Sequence, residues 1–189
     1  MRFWSKSVLG LIVAAIAFGA VGCDVAPSRI AFIEKLARED RKIARSTRSF
    51  HAAIIPLKDG KPADPGQVRS AYQAMEKTLK DVQADMEKQL PPASSNSGKP
   101  FLIAYKEYLT GQQQILTDDL QPIVKKVEEP GGAPAEKWAF INGMLNQAVA
   151  KDNADFALLK KAEDDFASEH NYMVQTMEAY FKAQAEGKQ

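Results

Sequence analysis

The stretch Asp64-Pro65-Gly66-Gln67-Val68-Arg69-Ser70-Ala71-Tyr72-Gln73-Ala74-Met75-Glu76-Lys77-Thr78-Leu79-Lys80-Asp81-Val82-Gln83-Ala84-Asp85-Met86-Glu87-Lys88-Gln89-Leu90 decides the fold class. Val68, Tyr72, Met75, Leu79, Val82, Met86 and Leu90 recur at spacings of 4, 3, 4, 3, 4 and 4. That period lines one face of an α-helix and would scatter over both faces of a strand. The start is marked as well. Asp64 suits the N-cap, Pro65 the first helical position and Gln67 the third, so a free amide, a fixed φ and a capping-box partner coincide.

Working outward, prolines and glycines act as punctuation. They gather at Pro27, at Pro56 to Gly66, at Pro91 to Pro100 and at Pro130 to Pro134, leaving four long segments between them. The first carries Ile33, Leu36, Ile43, Phe50 and Ile54 on one face, interrupted by Asp40 and Thr47. The third carries Leu102, Tyr105, Leu109, Leu116, Leu120, Ile123 and Val127, and Pro122 inside it predicts a kink near residues 118 to 121. In the fourth, Trp138, Leu145, Leu159, Phe166, Met173 and Tyr180 share one position of a seven-residue, coiled-coil-like repeat that Asp152 breaks. A helix from Ala135 to Glu186 would extend about 80 Å. It is therefore expected to be extra long or bent near residue 152, where Asp152 or Asn153 suits a fresh N-cap.

The connections are short and polar, with Pro91 to Pro100 the most flexible by composition. Short connections make successive helices antiparallel. The expected fold is all-α, an up-and-down antiparallel bundle of four long helices in a single domain over 27–189.

The amino-terminal residues have another chemistry. Arg2 and Lys6 precede an apolar run from Val8 to Phe18 and a small-residue exit, Gly19-Ala20-Val21-Gly22. This reads as a signal peptide over 1–22, because the run falls short of the about 20 apolar residues of a membrane span. The chain's one cysteine, Cys23, follows directly. Ala20-Val21-Gly22-Cys23 resembles the lipobox of bacterial lipoproteins, with alanine where that family usually has leucine. The resemblance covers the first two dozen residues. It implies diacylglycerol on the Cys23 thiol, cleavage before it, acylation of the new amino terminus and a lipidated tether over 23–26. The implied location is the bacterial cell envelope, with the body anchored to a membrane and facing the periplasm. Asp24 is similar to the inner-membrane retention signal of enteric lipoproteins, and inner and outer membrane both stay open.

Composition narrows the function. The 189 residues are 45% hydrophobic and 26% charged, with 25 basic against 24 acidic side chains and a net charge of +1. Such a balance offers no overall grip on nucleic acid. Covalent haem needs two cysteines, and the ferritin-like di-iron site needs Glu three residues before His; Arg48 precedes His51 and Ala167 precedes His170 at that spacing. There is no phosphate loop and no Gly-x-Ser-x-Gly elbow. We therefore expect no enzyme and no cofactor.

Two patterns remain. Arg38, Arg41, Arg45 and Arg48 fall at spacings of 3, 4 and 3 opposite the first apolar stripe, in a segment with seven bases and three acids. It begins four residues from Cys23 and is a candidate contact for anionic headgroups. From Asp152 to Glu169 six acids outnumber two bases, a charge that complements the first helix or a partner. His170, Met173 and Met177 share a helical face and form a ligand set suited to Cu(I), although methionine at such positions more often fills a core. Asp118 with Asp119, and Asp164, Asp165 and Glu169, read as solvated faces rather than metal sites.

The leading expectation is a lipid-anchored envelope bundle of non-enzymatic, interaction or structural role, with the membrane and an envelope protein as partners. The alternative is a periplasmic ligand-binding or sensing module that holds a small apolar molecule or Cu(I), lined by Tyr105, Tyr108, Trp138, His170, Met173 and Met177.

Overall fold

The computed structural model describes residues 27–92 and 95–169, with side chains from Ala31 onward. Helix α1 spans Pro27–Ile54 and runs into a 3-10 turn, Ile55–Asp59, that Gly60 closes at φ +71°. Helix α2 spans Pro65–Glu87, α3 spans Gly98–Ile115, and a π-helical turn, Leu116–Leu120, joins α3 to α4, Gln121–Glu128. Gly131 and Gly132, both at positive φ, reverse the chain into α5, Pro134–Glu169. With α3, the π turn and α4 forming one rod, the described residues make four antiparallel helical rods and no strand.

The N-cap of α2 forms as its sequence predicts: the Asp64 carboxylate accepts from the amides of Gly66 at 2.8 Å and Gln67 at 3.4 Å. Six of its seven stripe residues are buried, from Val68 to Met86. Leu90 is the exception, because α2 ends at Glu87 and leaves that side chain 78% exposed.

Where the sequence predicts a kink, the chain forms a π-helical turn, Leu116–Leu120, within one rod. Pro122 has no N–H to donate and crowds the preceding turn, and the wider π turn lets the rod continue past it. The extra residue of that turn also rotates the register. Asp119, read as solvated from sequence, is buried against Lys151, whose Nζ lies 3.0 and 2.8 Å from its two carboxylate oxygens.

Helix α5 is unbroken through 151–154, so no new helix starts there. Asp152 does not cap because its carboxylate turns inward, accepting from Gln112 Nε2 at 2.8 Å and Tyr108 Oη at 3.2 Å. The residues just before α3 are held by another helix. Glu169, at the end of α5, accepts from the amides of Asn96 at 2.8 Å and Ser97 at 2.6 Å and from the Ser97 hydroxyl, closing the free amides before α3.

Two apolar clusters fill the bundle. One holds Phe32, Leu36, Leu79, Met86, Phe101, Tyr105 and Phe166, with Phe32, Phe101 and Phe166 in mutual ring contact at 5.4–5.9 Å. The other, toward the opposite end, holds Phe50, Ile54, Val68, Tyr72, Leu120, Ile123 and Ile141. The contacts Lys35–Asp85 and Phe32–Phe101 place the start of α1, the end of α2 and the start of α3 at one pole. Phe166 and Glu169 bring the end of α5 to the same pole.

Candidate functional site

A polar layer runs through the first cluster to its border with the second. On α1, Asp40 occupies a core position in the otherwise apolar stripe and is 6% exposed. Its carboxylate accepts from Tyr105 Oη at 2.7 Å. Burial pushes Asp40 up to about 7, against the lowering effect of that hydrogen bond, and the charge of Glu163 on α5 raises it further. Burial likewise carries Glu163 up to about 7, opposed by Lys160. The two tyrosines are held well above their ordinary range by burial, then by the carboxylates they meet, Asp40 at Tyr105 and Asp152 at Tyr108.

A cavity of about 30 Å³ opens beside this layer, with Thr47, Met75, Gln112 and Asp152 among apolar walls from Ile43 to Leu120. Its size suits one water molecule. A shallower groove of about 390 Å³ runs between α2 and α3, floored by Met86, Ile103 and Leu109 and flanked by the Lys106–Glu87 ion pair at 3.0 Å. It is open to solvent, and half-buried Gln83 lines it, donating to the Leu109 carbonyl at 3.1 Å.

The candidate liners do not assemble as one site. Tyr105 and Tyr108 are buried in the first cluster, whereas Trp138 packs half-buried against the second. Tyr105 and Tyr108 spend their hydroxyls on Asp40 and Asp152. His170, Met173 and Met177 lie outside the described residues, as do Cys23, the 1–22 segment and the 23–26 tether. Among the described residues no cluster of three or more His, Cys, Asp or Glu is placed to hold a metal ion.

Arg38, Arg41, Arg45 and Arg48 are all exposed along α1. Among the described residues none of them makes an ion pair. The ion pairs of α1 belong to its lysines: Lys35 meets Glu39 at 3.2 Å and Asp85 at 3.0 Å, and Lys42 meets Glu39 at 2.5 Å. The acidic run of α5 does not neutralise the arginines either. Lys160 pairs with Glu163 and Asp164 within α5, and no ion pair joins α5 to α1 among the described residues. The described residues therefore present a face of four exposed guanidinium groups with no ion-pair partner among them.

No family model, curated protein or solved structure matches this chain.

Sequence reasoning found the arginine face but passed over the polar layer. Asp40 and Asp152 were visible as acids interrupting apolar series, and an acid on a core stripe is the signal that marks a buried network. Glu39, Asp119 and Glu163 gave no such signal. Helix packing and the π turn bury Glu39 and Asp119 and half-bury Glu163. No helix among the described residues is long and apolar enough to cross a membrane.

Proposed function

We propose that this protein is a lipid-anchored component of the bacterial envelope that works by contact rather than catalysis, presenting the arginine face of α1 to an acidic envelope protein. The observation that carries the reading is that exposed row, Arg38 to Arg48, which makes no ion pair among the described residues. Each guanidinium offers a planar fork of donors that suits carboxylates. Cys23, directly after a lipobox-like exit, supplies the anchor. Its attached acyl chains provide more than the two membrane signals needed for stable attachment.

The size of the interior argues against the rival reading. A small-molecule pocket occupies roughly 300–1,000 Å³, whereas the internal cavity is about 30 Å³. An apolar ligand would have to displace well-packed side chains. Asp40 is buried, and Asp152 borders only the small cavity.

Two measurements test the proposal. Mass spectrometry of the mature amino terminus should find Cys23 diacylglyceryl-modified, and Cys23→Ser should move the protein out of the membrane fraction. In crosslinked envelopes, replacing Arg38, Arg41, Arg45 and Arg48 with glutamine should abolish the protein's specific adducts and leave membrane fractionation intact. Adducts that survive unchanged would exclude this face as the contact.

A further inference from the structure

The proposed anchor leaves open which way the body faces, and the described geometry bears on it. Only four residue steps lead from Cys23 to Pro27, the start of α1. Fully extended they span about 14 Å, so the pole holding the start of α1 is kept near the bilayer. Antiparallel packing puts the α2–α3 turn at that same pole, through Lys35–Asp85 and Phe32–Phe101.

That turn has the chemistry of a membrane interface. Leu90 projects beyond the last turn of α2 and, at 78% exposure, is the most exposed large apolar side chain among the described residues. Lys88 and Lys99 flank it in sequence and are exposed. An exposed apolar side chain with lysines at the adjoining helix ends can bury its methyls at the headgroup boundary while the ammonium groups reach phosphate.

The arginine row is placed differently. At 1.5 Å per residue, Arg38 lies about 17 Å and Arg48 about 32 Å along α1 from Pro27. With the axis upright, both stand beyond the roughly 8 Å Debye length at physiological salt.

We infer that the bundle stands end-on to the membrane, with the α2–α3 turn around Leu90 seated in the phospholipid interface and the arginine face pointing sideways into the periplasm. This rests on the anchor reading and adds an orientation to it: the turn touches lipid, and the arginines are left free for a protein.

Full-length lipidated protein in phosphatidylethanolamine–phosphatidylglycerol vesicles tests it. Acylation consumes the Cys23 thiol, so an environment-sensitive thiol dye placed by Leu90→Cys, Lys61→Cys or Arg48→Cys reports on one site at a time. Lipids with a nitroxide near the headgroup should quench most of the emission at position 90 and little at positions 61 and 48. Quenching at 48 as strong as at 90 would mean that the helix lies flat. Equal, weak quenching at all three sites on vesicle-bound protein would mean that the turn does not touch lipid. Either result overturns the orientation and leaves the anchor standing. Dye uptake by the unsubstituted protein, with no flotation on vesicles, would instead remove the anchor and the orientation with it.

Discussion

At the scale of single residues, Asp40 has the clearest measurable consequence. Its carboxyl is raised from 3.8 to about 7, chiefly by burial. The folded state therefore holds a proton that the unfolded chain has already released. Its contribution to stability is fully present below about 4, declines as pH rises toward 7, and is absent above that. Glu163, raised from 4.5 to about 7, acts in the same direction over the same window. Asp40→Asn keeps an acceptor for the Tyr105 hydroxyl and removes the charge. It should raise stability at pH 8 by about 2 kcal/mol and leave pH 4.5 nearly unchanged, flattening the curve. Urea unfolding across pH 4.5 to 8 measures this; a variant curve parallel to the parent's would show that Asp40 is not the titrating group.

At the scale of helices, ends matter more than middles. Two carboxylates close free amides: Asp64 at the start of α2 and Glu169 at the start of α3, the second reaching across from the end of α5. The local cap is legible in sequence because donor and acceptor are neighbours. The distant one is not. Asp64→Ala and Glu169→Ala should each cost about 1 kcal/mol in thermal or urea unfolding. Only Glu169→Ala should also speed amide hydrogen exchange at Asn96 and Ser97. Gly111 shows the same dependence on tertiary context, since a Cβ there would fall on the Asp155 carboxylate of α5. It reads as a weak helix former and serves as a point of close helix approach.

At the scale of the whole molecule, two apolar clusters meet at the polar contacts of Tyr108 and Gln112 with Asp152 and share the same rods. Phe101 belongs to one cluster and Phe50 to the other, both essentially inaccessible to solvent. Phe101→Ala and Phe50→Ala should each lose about 3 kcal/mol. Because the two side chains share no partners, the double variant should lose the sum to within about 0.5 kcal/mol. All three should unfold in one transition if the rods couple the clusters. Two transitions in the calorimeter would mean that the polar layer divides the molecule into separate units.

The sequence by itself determined that this chain is helical, where its turns fall, that Pro122 interrupts one rod and that four arginines share a face. These depend on neighbours a few residues apart, and helical periodicity, caps and proline sterics operate at that range. Tertiary structure alone decided that α5 passes Asp152 without breaking, that Asp119 is buried and Glu163 half-buried, that Glu169 caps another helix, and that Leu90 shares a pole with the start of α1. Each of these depends on which helix lies alongside which, and a single π turn is enough to rotate an acid from water into the core.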